Sequence, residues 1–303
     1  MRGLLAVSPA LAIIRGMKNI VVTKAFGLAY CFAAYMCAGV LIVLISPVLH
    51  GLHPLLAVLI ADCAAMLVVF LFSVFSDNSS VYDPYWSIIP IPIALYFALV
   101  LDAPLWRIIL IAGIVSIWGL RLTGNWIRRW KGLSHEDWRY ADFRQSSGRW
   151  YWLVSLLGIH GFPTLIVFAG CLSLFAAFAS SAPFGVFDIL GAFVAIAAVV
   201  IEAVSDEVLS RSIRTGKKGA LCEHGLWRYA RHPNYFGEVL FWWGLWLFSL
   251  ARFPEYWWTS VGPVAMTLLF VFISVPMIDR HMAKRPGYAR RMKLSPLVPL
   301  PRR

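Results

Sequence analysis

Eight apolar runs, each near the length needed to cross a bilayer, constrain this chain more than any other feature. They lie at 25–46, 54–75, 84–101, 104–122, 151–178, 185–206, 235–251 and 256–278. A spanning helix needs about 20 predominantly apolar residues, set by a hydrocarbon core about 30 Å thick. Inside that core every backbone amide must be satisfied within its own segment, so such runs become helices. The third and fourth runs are short and meet at Leu101-Asp102-Ala103-Pro104, which reads as a tight helical hairpin. Pro233 suits the first turn of the seventh helix, where its missing N–H is not needed. Composition agrees: 60% of the 303 residues are hydrophobic and 14% are charged, against about 45–50% and about 25% in soluble domains. A soluble single domain and a disordered chain are excluded. The expected fold is an all-α polytopic membrane protein of about eight spans.

Charge placement supports that count. All but two of the 27 Lys and Arg residues fall within 1–24, 121–149, 206–234 and 279–303. Four, two and two spans separate these regions, so all four can face one side. The positive-inside rule makes that side the cytoplasm, with both termini there. The net charge of +12 is therefore read first as topology and then as anion binding. Nucleic acid is not an expected partner of so apolar a chain. One turn on this side, 76–83, is an exception, with two Asp and no Lys or Arg. The first 16 residues read as a short signal-like run or a surface helix, and Met17-Lys18 is an equally good translation start. The five cysteines form no CxxC pair, so neither a redox motif nor a metal site is expected.

Ionisable groups within spans are costly and by default suggest function. Asp62 lies mid-way along the second run, and His160 lies in the fifth. Glu202 and Asp206, four apart and hence on one face, close the sixth. Glu238 lies one turn into the seventh. The structural alternative pairs the three acids with Arg211, Arg214 or Arg228, and makes Asp62 and His160 hydrogen-bonded packing groups. The stretch 118–144 adds Arg121, Asn125 and Arg128 on one helix face, then Glu136, Asp137, Arg139, Tyr140 and Arg144. Setting topology needs positive charge, but not this mixture of carboxylates, aromatics and arginines.

The most specific block runs from His224 to Glu238 and reads HGLWRYARHPNYFGE. A glycine-containing turn delivers Arg228, Tyr229, Arg231 and His232 to a helix opened by Pro233. A helix N-terminus presents free N–H groups to an anion, and arginines strengthen such a site. Asn234 and Glu238 share a face. The Asn suits an amide; the Glu suits a ribose hydroxyl or an amine. A glycine-rich dinucleotide loop after a strand is absent.

This block resembles the C-terminal region of the steroid 5-alpha-reductase superfamily, and its bacterial branch in particular. Supporting it are Glu202-x-x-x-Asp206, Glu136-Asp137-Trp-Arg139-Tyr140 after Trp118-Gly-Leu-Arg121, and a basic tail with Tyr288. The resemblance runs from about residue 54 to the end. It implies an ambiguous segment at 1–24, an added transmembrane helix at 25–53, and a seven-helix reductase core at 54–303. The R-x-x-R-H-P-N-Y block is also shared with isoprenylcysteine carboxyl methyltransferases, which bind S-adenosylmethionine. Glu202, Asp206 and the Glu-Asp-x-Arg-Tyr loop are similar to the reductase branch.

The resemblance implies NADPH as cofactor and oxidoreductase chemistry on a carbon–carbon double bond. Asn234 and Glu238 would hold the nicotinamide side, with Tyr235 between them and Glu202 and Asp206 lining the cavity. Arg121 and Arg280 would lie near the phosphates. Arg139, Tyr140 and Arg144 would meet the adenosine end, and Asn125, Asp137, Arg228, Tyr229, Arg231, His232 and Tyr288 complete the candidate set. Steroid-active members grip an enone oxygen with a Glu and a Tyr on the next helix. Here those positions match Asp83, in Val81-Tyr82-Asp83-Pro84-Tyr85, and Trp118. The catalytic candidates are therefore Asp83, Tyr82, Tyr85 and Trp118, the steroid-specific pair is not intact, and the expected substrate is a lipophilic conjugated compound, steroid-like or another lipid. The alternatives are a membrane methyltransferase and a non-enzymatic lipid carrier.

Overall fold

A computed structural model describes residues 24–216, 221–252 and 255–299. The ambiguous N-terminal segment therefore lies outside the described residues, apart from Lys24. Among the described residues the fold is all-α, 80% helical and without strands. Two spanning helices come first, α1 (Lys24–Leu49) and α2 (Pro54–Phe75). α2 opens on a proline, and the His53 ring accepts the Leu55 N–H at 3.3 Å as its cap. A short 3-10 turn (Ser79–Val81), α3 (Tyr85–Ile88) and α4 (Pro90–Val100) form the next crossing. The predicted hairpin follows, with Asp102 in the left-handed region at φ 49°, and leads into α5 (Leu105–Arg129).

α6 (Trp138–Ser147) is polar and lies ahead of the fifth crossing. That crossing is built from a helical turn (Tyr151–Val154), a π-helical segment (Ser155–Gly161) and α7 (Phe162–Phe178). Then come α8 (Val186–Thr215) and α9 (Pro233–Ser249), the latter opened by Pro233 as expected. α10 (Val261–Leu269), a second π-helical segment (Phe270–Ser274) and α11 (Val275–Met282) make the last crossing, and α12 (Tyr288–Arg291) sits in the tail. Among the described residues seven helical stretches are long and apolar enough to cross a membrane; α9, with 17 residues, is the one remaining expected run, the seventh in chain order.

Described residues of all four basic regions, Lys24 alone in the first, meet at one end of the bundle. Lys24 Nζ donates to the Arg128 carbonyl (3.3 Å), joining the first region to the second. Arg129 reaches the Asp206 carbonyl (3.1 Å) and Ser210 (2.8 Å) in the third. Arg231 donates to the Leu294 carbonyl (2.7 Å) in the fourth. The exceptional turn 76–83 docks at the same end. Asn78 donates to the Leu133 carbonyl (2.8 Å), and Asp77 pairs with Arg144 at 2.9 Å. The turn thus takes its countercharge from α6 and needs none of its own. At the far end, the buried Arg107 pairs with Asp188 at 3.5 Å.

Among the described residues the most extensive helix contact is between α8 and α9, and it is close. A Cβ placed at Gly237 would lie 2.7 Å from Glu202 Cβ and 2.8 Å from the Ala198 carbonyl oxygen. One placed at Gly244 would lie 2.6 Å from the Ala195 nitrogen. Small residues let membrane helices approach backbone to backbone, where packing and polar contacts replace the missing hydrophobic force. This approach lays Asn234 and Glu238 beside Glu202 and Asp206.

Candidate functional site

Three helices bring five of the expected residues together at the basic end of the bundle. Arg121 on α5 lies 2.6 Å from Glu202 and 3.2 Å from Asp206, both on α8. Asn125, one turn beyond Arg121, donates to Asp206 Oδ2 at 3.0 Å. Asn234, in the first turn of α9, donates to Asp206 Oδ1 at 3.4 Å. All are buried or half-buried. Asn234 Oδ1 and Arg121 Nε have no hydrogen-bond partner among the described residues. A buried polar atom without a partner is costly, so this cluster can still accept one hydrogen bond and donate another.

The structural alternative, which paired Glu202 and Asp206 with Arg211, Arg214 or Arg228, does not hold: both acids pair with Arg121. Glu207, one residue on and facing outward, takes Arg211 at 2.8 Å and Arg214 at 3.5 Å. Arg121, two spans away in the expected order, serves the inward acids. Arg128 bridges the two sets, donating to Asn125 Oδ1 at 3.3 Å and lying 3.7 Å from Glu207.

Glu238 is separate from this cluster. Its carboxylate is buried and accepts three indole N–H groups: Trp86 at 2.9 Å, Trp118 at 3.0 Å and Trp242 at 3.1 Å. Trp118 also stacks on Phe241, with ring centroids 4.5 Å apart. Its indole is aimed at Glu238, which defines its place in the site. Trp242 was legible in the sequence, since it sits four residues from Glu238 on the same face. Trp86, 152 positions earlier, carried no such signal.

The catalytic candidates divide. Asp83 accepts the Tyr140 hydroxyl at 2.6 Å and the Trp126 indole N–H at 3.3 Å. Tyr82 and Tyr85 stack at 5.2 Å, but their hydroxyls turn elsewhere. Tyr82 bonds Thr164 at 2.8 Å, and Tyr85 donates to Asp62 at 2.7 Å. Asp62 Oδ2 has no partner among the described residues. Asp137 caps α6 and pairs with Arg139 at 2.8 Å. Burial would raise the Asp137 carboxyl, but the charge and hydrogen bonds of Arg139 hold it below the ordinary carboxylate range. Arg144 binds Asp77 and Glu136 and lies 3.9 Å over the Tyr151 ring.

Glu136 begins a buried hydrogen-bonded row. Tyr151 donates to it at 3.0 Å and meets Ser79 at 2.7 Å. Ser79 meets Ser155 at 2.9 Å, Ser155 meets His160 at 3.3 Å, and His160 meets Ser73 at 3.1 Å. His160 is thus a hydrogen-bonded packing group, placed by the π-helical turn that re-aims this stretch.

The remaining members of the R-x-x-R-H-P-N-Y block mostly anchor the tail. Arg231 pairs with Asp279 at 3.0 Å, and His232 meets the same carboxylate at 2.8 Å. Tyr288 donates to Asp279 as well; burial and that bond push its phenol above the ordinary range. Arg291, absent from the expected set, donates to the Cys222, Trp227 and Ala230 carbonyls at 2.8–2.9 Å. Tyr235 stacks on His232, with centroids 5.4 Å apart. Arg228 and Tyr229 are exposed, and so is Arg280 on α11.

Among the described residues no group of three or more His, Cys, Asp or Glu could hold a metal ion. Residues 69–293 match the model of a family described as protein of unknown function, DUF1295. An uncharacterized protein of Schizosaccharomyces pombe (strain 972 / ATCC 24843) is 26% identical over 204 residues, covering 58% of this chain and 59% of that one. The chain therefore spans about three fifths of the length of that curated relative. No solved structure matches.

Proposed function

The chain belongs to the DUF1295 family, and from that premise we propose that it is a membrane-embedded, NADPH-dependent reductase of a conjugated carbon–carbon double bond in a lipophilic substrate. The family is associated with steroid 5-alpha-reductase-like proteins, in keeping with the resemblance of the Arg228–Glu238 block. The observation that carries the reading is the incomplete Arg121–Asp206–Asn234 cluster. Arg121 Nε offers a free donor and Asn234 Oδ1 a free acceptor, flanking one carboxylate. A carboxamide carries the complementary acceptor and donor, so the residues fit the nicotinamide end of the cofactor. The arginines of this face favour the extra phosphate of NADPH over NADH.

Bound NADPH would supply the hydride. Arg121, Asn125 and Asn234 would bind and orient its amide, with Asp206 holding all three side chains in place. Glu238, fixed by three indoles, would wall the site on the membrane side and exclude water. Asp83 would carry the proton that polarises a substrate carbonyl, with Tyr140 and Trp126 fixing its two oxygens. The cofactor face would be cytoplasmic, in the inner membrane of a bacterial host.

The test is ligand-induced stabilisation of the protein purified in mild detergent, since a ligand that binds only the folded state raises its melting temperature. The expected result is a rise with NADPH, a smaller one with NADH and none with S-adenosylmethionine. A rise with S-adenosylmethionine alone would replace this reading with a methyltransferase.

A further inference from the structure

A groove of about 380 Å³ lies between α6 and the last membrane crossing. Its floor is one stripe of that crossing. Phe272 and Ile273 begin the stripe, Pro276 and Met277 continue it one turn on, and Arg280 and Lys284 end it. The stripe changes from wholly apolar at Phe272 to cationic at Arg280 over eight positions, about 12 Å along a helix, and Lys284 follows in the turn after α11. Phe272 is 68% exposed, and Ile273 42%, within an apolar span. The upper half of the groove therefore opens to hydrocarbon. The lower half lies at the basic end of the bundle, where Trp138 stacks on His281 at 3.9 Å.

The charges in the groove are not balanced. Three cations line it, Arg139, Arg280 and Lys284, against one carboxylate, Asp142. Arg139 already has Asp137 as its partner. Arg280 and Lys284 have no carboxylate within ion-pair distance among the described residues. An anion at this end would meet two free cations, while anything above it would lie on Phe272 and Ile273. A dinucleotide, polar at both ends, does not match that gradient; an anionic amphiphile does.

We propose that this groove binds a membrane phospholipid with an anionic headgroup. The phosphate would sit at Arg280 and Lys284, and one acyl chain would run along Met277, Ile273 and Phe272. Charge-assisted contacts to phosphate and attraction of basic boundary residues to anionic lipid supply the selectivity. Arg280 then serves lipid instead of cofactor phosphate, and the site stands whether or not the chain is a reductase.

The full chain in detergent would be titrated with dioleoyl phosphatidylglycerol, dioleoyl phosphatidylcholine, inorganic phosphate and NADPH, with the melting temperature as readout. Phosphatidylglycerol should raise it by several degrees more than phosphatidylcholine, and inorganic phosphate should not. Lys284→Glu and Arg280→Glu should each remove at least half of that excess, and Lys284→Arg should keep it. Arg149→Glu, a charge reversal outside the groove, should keep it too. Equal effects of the two lipids would overturn the proposal. So would loss of the excess in Arg149→Glu, or a rise with inorganic phosphate alone. Loss of an NADPH effect in Lys284→Glu, with the lipid preference intact, would assign the groove to the cofactor.

Discussion

The Arg121 guanidinium lies 2.6 Å from the Glu202 carboxylate and 3.2 Å from that of Asp206, so one cation holds two acids of a different helix. Breaking a buried ion pair from one side leaves the other charge uncompensated, at about 3–5 kcal/mol. Arg121→Ala should therefore lower the melting temperature markedly in detergent, and more than Arg211→Ala, whose exposed pair with Glu207 contributes little. Equal effects would show that the inward cluster is not structurally coupled.

Asn234 separates ligand binding from stability. Its amide donates one long bond, 3.4 Å, to Asp206, and its Oδ1 is free. Asn234→Ala should weaken NADPH binding about tenfold, the value of about one hydrogen bond, with little loss of intrinsic stability. Titrating the NADPH-induced rise in melting temperature measures this.

Glu238→Gln tests the indole enclosure. The amide nitrogen would bring a donor against Trp N–H donors that now meet carboxylate oxygens. A buried donor left unpaired costs about 1–3 kcal/mol. Near-UV circular dichroism and tryptophan emission should change together with the melting temperature. An unshifted emission would mean that the three indoles do not depend on this carboxylate.

Asp83→Asn keeps the acceptor for Tyr140 but cannot carry an acid proton. Turnover of any conjugated lipid that the wild type reduces should fall by about 10²-fold or more, while NADPH stabilisation persists. Unchanged turnover would move the proton-donor role elsewhere, with the Asp62–Tyr85 pair the next candidate on geometry.

Gly237→Ala tests the close approach that assembles the site. The added methyl would meet Glu202 Cβ and the Ala198 carbonyl, and overpacking of this kind costs about 1–3 kcal/mol. Cofactor-induced stabilisation should be lost with it, because α9 carries Asn234. Retention of both would show that α8 and α9 have room to shift.

The sequence by itself determined the membrane architecture. Apolar length and the spacing of Lys and Arg follow from the cost of burying amides and charges in hydrocarbon, and that cost is read residue by residue. The same logic placed Glu202 and Asp206 on one helix face and Asn234 and Glu238 on another, because helical period is local. Partner choice was decided only by the tertiary structure. Arg121 reaches Glu202 across 81 positions, Trp86 reaches Glu238, and Tyr85 turns from Asp83 to Asp62. These contacts depend on which helices are neighbours and how closely they approach. Small residues such as Gly237 and Gly244 set that approach, and no period along the chain records it.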